Sequence, residues 1–181
     1  MARLPYLNDE DLDESQRHLL ERPINLHRIL ANSPNGLEVF SQFGEWIRWR
    51  SGLNPRLREL AILQVGYMYS SKYEFSHHVE IGRNFGVTDS DIRGIASLAS
   101  GQEADFSDVD LLVLSAARQL TADADLDETT WTSLRGVLGD EHAVDLVLII
   151  SFYNAVVRVL AGLRIDVEPS YAKYLDEFPL T

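Results

Sequence analysis

The chain is predicted to be all-helical, from three observations: helix start and stop signals recur along its length, apolar residues follow the 3.6-residue period, and no stretch sustains strand alternation. Its 181 residues suit one domain with a sizeable core, read here as spanning 1–181, with an N-terminal arm over 1–32 and a C-terminal tail over 166–181. A formal charge of −12 with scattered basic residues argues against a nucleic-acid partner. Cysteine is absent, so thiol nucleophiles, disulfides and thiolate metal ligands are excluded. Residues 1–13 hold no apolar segment of the kind a signal peptide needs, and the uncharged run Leu146 to Val157 is shorter than the ~20 residues of a membrane helix. A cytoplasmic protein without a membrane partner is the expectation.

Ser33 and Pro34 start a helix that runs through Phe40 and Ile47 and stops near Gly52. Asn54 and Pro55 repeat the signal. From Leu60 to Ser71 the following helix has no charge and is apolar on most faces, so it is expected to be buried. A third helix spans about Lys72 to Phe85, with Gly86 as its left-handed stop. Thr88 with Asp91, and Ser107 with Asp110, cap the next two, and the acidic turn Asp123 to Asp127 ends the second. A short helix around Trp131 and Leu134 precedes Gly139, and a long apolar helix covers about Glu141 to Leu163. From Pro169 the chain reads as an arm carrying Tyr171, Tyr174 and Phe178.

Glu74 and His78 are four residues apart and share a helix face with Ile81 and Phe85, whereas Lys72, Ser76, Glu80 and Arg83 fall on a polar face. An inward carboxylate beside an inward imidazole can orient the ring and move a proton. The bland alternative is a solvent-facing helix pair. Glu59 sits one turn into the nearly charge-free helix, where a lone carboxylate is costly, so it needs a partner, with Arg56 or Arg58 as the simple choice. His77 points about 100° from His78 and reads as a surface or interface residue. His18 and His27 have no evident partners. Tyr67, Tyr69 and Tyr73 fit either a pocket wall or the core, and Arg158 is either a clamp for an acid group or half of a structural ion pair.

The segment 54–92, NPRLRELAILQVGYMYSSKYEFSHHVEIGRNFGVTDSDI, within a core signature taken as 54–100, resembles the carboxymuconolactone decarboxylase and alkyl hydroperoxidase D superfamily. That pattern has Glu on one helix, C-x-x-C at the start of the next, His four residues after the second Cys, and a terminating Gly. Glu59, His78 and Gly86 match, while Ser71 and Glu74 occupy the two Cys positions. Glu at the second position is similar to the lactone decarboxylase branch. The resemblance, looser from the arm to Leu163, implies an alkyl hydroperoxidase D-like helical bundle and a homotrimer or homohexamer. It implies no metal and no cofactor, although Glu and His are competent ligands. Without cysteine the thiol peroxidase chemistry falls away. What the resemblance leaves is acid and base chemistry on a small carbonyl or carboxylate substrate, of decarboxylase, lactone-processing or isomerase type. In it His78 donates the proton, Glu74 orients it, Glu59 extends the relay, and Ser71, Tyr73 and Arg158 contact substrate. The competing reading is a non-catalytic oligomeric binding module, favoured by the lack of a visible substrate-anchoring cluster.

Overall fold

The computed structural model describes residues 1–180, and their regular structure is helical throughout, with no strand among them. Two short 3₁₀ helices, Asp9–Asp11 and Glu14–Leu20, precede α1 (Asn25–Leu30) and α2 (Pro34–Glu45). A π turn, Trp46–Arg50, continues α2 and closes with Ser51 N–H on the Trp46 carbonyl at 2.8 Å. Then follow α3 (Pro55–Met68), α4 (Lys72–Asn84), α5 (Asp89–Ala99), α6 (Asp108–Ala122), α7 (Glu128–Leu163) and α8 (Pro169–Glu177).

Helix α3 is the central element because it has no polar face to give to water. Every residue from Arg58 to Tyr67 is buried. One side, with Ala61, Ile62 and Val65, packs on Val113 and Ala117 of α6 and Leu146, Ile149 and Ile150 of α7. The other, with Leu60 and Leu63, packs on Phe75 and Val79 of α4, Ile92 and Ile95 of α5, and Tyr174 of α8. A turn over residues 69–71, with Ser70 at φ 46° and Ser71 N–H bonded to the Gly66 carbonyl at 2.9 Å, folds α4 back along α3. Gly66 permits the close approach, since a Cβ there would stand 3.3 Å from the Phe75 nitrogen.

The expected caps form. Asn54 accepts the amides of Arg56 and Leu57, Gly86 takes φ 92°, and Thr88–Asp91 and Ser107–Asp110 are complete capping boxes. Gly139, at φ 78° and ψ 167°, leaves the helical region and breaks α7 where the sequence predicts, so that α7 is two helical segments, 128–138 and 140–163, joined at this residue. By length and composition α7 could cross a bilayer, yet Gly139 interrupts it and Leu134, Ala143, Leu146, Ile149 and Ile150 are fully buried.

Two expectations are corrected. Neither end of the chain is a loose arm: Leu12, Leu20 and Ala31 bury against Leu37, and Tyr174 and Phe178 enter the core beside α3. Trp46 packs on the core and Tyr171, Tyr174 and Phe178 fold inward, whereas Trp49 stays at 70% exposure. Ser76 belongs to no polar face; it is buried and donates to the Tyr73 carbonyl at 3.1 Å.

Arg56 links the two capping boxes, at 2.8 Å from Asp91 and 2.6 Å from Asp110. Both carboxylates are nearly buried, so removal of the guanidinium leaves two uncompensated charges side by side. Arg56→Met is expected to lower the unfolding free energy by about 2–4 kcal/mol in urea titrations, with Arg56→Lys restoring part of it; an unchanged midpoint would show that the clamp contributes nothing.

Candidate active site

The sequence places Glu59 one turn into α3 and His78 midway along α4, and the antiparallel return of α4 brings them together. His78 Nδ1 lies 2.6 Å from Glu59 Oε2, and its Nε2 lies 3.0 Å from Glu74 Oε1. Glu59 Oε1 accepts from Arg58 Nε at 2.9 Å. The result is an alternating chain, Arg58–Glu59–His78–Glu74, whose members are all at most 5% exposed. Arg58 also donates to the carbonyls of Ile47 and Arg48 and lies over the Phe85 ring at 4.6 Å. Glu59 thus pairs with Arg58 and with His78 at once.

With a carboxylate at each ring nitrogen, His78 is held as the imidazolium. Burial alone would lower its pKa, but Glu59 and Glu74 outweigh it and raise it from 6.5 to about 9. Burial likewise pushes Glu59 up, and the charges and hydrogen bonds of His78 and Arg58 bring it below the usual carboxylate value. An imidazolium bonded on both sides has no lone pair for a cation, so this arrangement serves proton transfer better than metal binding.

Glu74 and His78 line a cavity of about 480 Å³, whereas Glu59 stands behind the ring. Tyr153 of α7 meets His78 edge to face at 5.0 Å. Burial, followed by the charges of Glu74 and Glu59, keeps its phenol neutral well above the ordinary pKa, and its hydroxyl has no hydrogen-bond partner among the described residues. Arg48, from the π turn, and Arg22, from the N-terminal segment, line the same cavity. Sequence reasoning missed all three. The only available signal was that Tyr153 adjoins Asn154 in an otherwise apolar helix.

The expected substrate contacts fare differently. Tyr73 borders the cavity, but its hydroxyl accepts from Leu26 N–H at 3.1 Å and donates to Glu168 at 3.0 Å, so it is already committed. Ser71 and Arg158 lie in a separate groove beside Lys72 and Arg164. Arg158 is exposed there and bonds the Asn154 carbonyl and the Tyr69 hydroxyl, each at 2.6 Å, in place of a carboxylate. These two residues are not part of the His78 cavity, because they stand on the side of the α4 start that faces the end of α7.

His77 is a further correction. It is buried, stacked between Tyr73 and Tyr171 at 4.2 and 3.6 Å, with Nε2 2.8 Å from Glu168 Oε2. Burial raises Glu168, but the His77 bond and the Asn25 amide bring it down to about 2. His18 and His27 also border the cavity and bond the carbonyls of Ser15 and Arg22.

The model of the carboxymuconolactone decarboxylase family matches residues 34–123, about half of the chain, including Glu59, Glu74 and His78. A peroxidase-related protein from Ralstonia eutropha JMP134, an alkylhydroperoxidase AhpD core, superposes with a TM-score of 0.81 at 18% identity, over 99% of this chain and 98% of its own. The chain belongs to the carboxymuconolactone decarboxylase superfamily. A peroxidase-related protein from Silicibacter sp. TM1040 gives a TM-score of 0.73 at 18% identity over 93% and 92% of the two chains. An alanine variant of the debrominase Bmp8, in complex with 2,3,4-tribromopyrrole, gives 0.74 at 18% identity over 98% and 100%. At this identity the likeness describes the fold. Comparison with curated proteins gives no match. The chain itself has no cysteine.

The His78 pairing carries a pH signature. Its pKa is raised from 6.5 to about 9 on folding, so its stabilisation is fully present below pH 6.5 and is lost as pH rises through about 9. Urea unfolding at pH 6 and pH 10 should show a larger alkaline loss of stability in wild type than in His78→Gln; equal losses would mean that the ring is neutral at pH 7.

Proposed function

We propose that this superfamily member is an acid–base enzyme of decarboxylase, lactone-processing or isomerase type, acting on a small carbonyl or carboxylate compound. The observation that carries the reading is His78, held cationic between two carboxylates at the wall of a cavity large enough for a small substrate. The Nδ1 proton faces buried Glu59, whereas the Nε2 proton lies on the side of Glu74, which borders the cavity. The deliverable proton is the one on Nε2, passed directly or through Glu74. The geometry thus favours exchanging the roles expected for the carboxylates: Glu59, pinned by Arg58, orients the ring, and Glu74 is the outer relay member.

In a decarboxylation the carbon–carboxylate bond breaks, its electron pair enters the conjugated carbonyl system, and carbon dioxide leaves. The His78 imidazolium then gives its proton to the carbanionic carbon and regains one from solvent. An isomerisation would use the same proton in the same place. The fold's capacity for small rings is supported by the bromopyrrole complex of the debrominase neighbour, and a thiol route is closed to this chain because it has no cysteine. Self-association as a trimer or hexamer belongs to the same proposal, supported by the exposed Trp49 and by Val137, Val144 and Leu148 on α7, at 54, 49 and 40% exposure.

The test is a panel of unsaturated lactone acids and β-keto acids. On a substrate so found, His78→Gln should lose ~10²- to 10⁴-fold in kcat, the usual worth of a positioned acid, with its fold checked by circular dichroism. Full activity in that variant would overturn the mechanism. Wild type should show no thiol-dependent peroxide reduction, and robust turnover of peroxide would refute the argument from the missing thiols. Light scattering at micromolar concentration should exceed the monomer mass; a monomer would remove the oligomer from the proposal.

A further inference from the structure

The lining of the His78 cavity also includes a basic part, Arg48 and Arg22, that the acid–base chain does not use. Arg48 is half-buried there and forms no ion pair or hydrogen bond through its side chain with any described residue; its guanidinium stands 6.0 Å over the Trp49 ring. Arg22 borders the same space and is likewise unpaired. The exposed Glu21, Glu38 and Glu45 also line the cavity, and none of them bonds either arginine side chain. Removing a guanidinium from water without a counter-ion is costly, and setting a second cation near it adds repulsion. That repulsion is felt: burial first, then the charge of Arg22, lowers the pKa of Arg48. Burial, followed by Arg22 and with Arg48 adding to it, takes His27 down to about 4, so this ring is neutral and offers no extra charge.

We propose that Arg48 and Arg22 are the specificity-determining residues of the cavity and together bind a carboxylate of the substrate, orienting its carbonyl portion toward His78 and Glu74. Two guanidiniums with free forks match the oxygens of one carboxylate, and the anion relieves their mutual repulsion. Glu74 borders the same cavity and repels an anion, so a substrate carboxylate is directed to the guanidiniums and away from Glu74. The neutral Tyr153 hydroxyl, beside His78 and without a partner, is placed to donate to the carbonyl oxygen. Arg22 precedes residue 34, so part of the recognition comes from outside the segment shared with the family. The inference rests on the acid–base reading for what happens at His78, but binding at the arginines is measurable without turnover.

The experiment is calorimetric titration at pH 7 with levulinate, 2-furoate and benzoate, each beside its methyl ester and beside inorganic phosphate. Wild type should bind at least one carboxylate at least tenfold more tightly than its ester. Arg48→Gln and Arg22→Gln should each weaken that carboxylate at least tenfold while leaving the ester unchanged, and Arg158→Gln, in the other groove, should change neither. His78→Gln should retain the binding, so a failure of the catalytic reading is visible separately from a failure here. Because Arg48 is unpaired, Arg48→Met should unfold at the same or a higher urea concentration than wild type. The proposal is overturned by absence of binding for all three carboxylates, by equal binding of acid and ester, by phosphate preferred over the carboxylates, by unaltered affinity in the arginine variants, or by collapse of the Arg48→Met fold.

Discussion

A helix buried on every side can keep ionised groups only if its neighbours neutralise them, and α3 keeps two. Arg58 and Glu59 are both 2% exposed. Each satisfies part of the other, but adjacent residues on one helix cannot use all of the donors and acceptors involved. Most of the remaining demand is met from outside: carbonyls of the π turn take Nη1 of Arg58, and His78 of α4 takes the second Glu59 oxygen, while Nη2 of Arg58 finds no hydrogen-bond partner among the described residues. His78 so charged then requires its own second carboxylate, which Glu74 supplies one helical turn away. The proton-bearing group of the cavity is thus the outward end of an electrostatic account that begins in the middle of the core.

The frame around α3 is held by contacts that serve this dependence. The Gly66 approach sets the separation of α3 and α4, and the 69–71 turn sets their register. Arg56, at the open end of α3, joins the first turns of α5 and α6 through their capping carboxylates. On the far side, Glu168 receives bonds from Asn25, Tyr73 and His77, so the N-terminal segment, α4 and the C-terminal segment meet at one carboxylate. Buried ionic groups are weak contributors to net stability, and their presence in such numbers here is better matched to fixing geometry.

Much of this was legible in the sequence, for reasons that are local. Caps at Asn54, Thr88 and Ser107, the stop at Gly86 and the break at Gly139 depend on backbone chemistry within four residues, and each has the form its residue type requires. The triad was legible because helical spacing and the absence of other charges forced Glu59, Glu74 and His78 inward. What escaped is tertiary. His77 looked peripheral because the ring system that covers it comes from Tyr171, nearly a hundred residues later in sequence. Arg48 went unnoticed because nothing near it in sequence reveals a cavity built partly by Arg22 and Tyr153. Ser71 and Arg158 were misplaced because helical spacing fixes a side chain's face but not which neighbouring helix that face will meet.

The π turn at Trp46–Arg50 sets a phase. Its five-residue hydrogen bond, from Ser51 back to Trp46, holds one residue more than an α-helical turn would, and one residue is worth about 100° of rotation. The direction of the Arg48 side chain and the carbonyls of Ile47 and Arg48 that receive Arg58 are governed together by that single extra residue. Chain length at this point is therefore constrained more tightly than composition. A one-residue deletion between Glu45 and Ser51 would leave the hydrophobic pattern of α2 largely intact and yet turn both the basic part of the cavity lining and the acceptors of the buried ion chain out of phase.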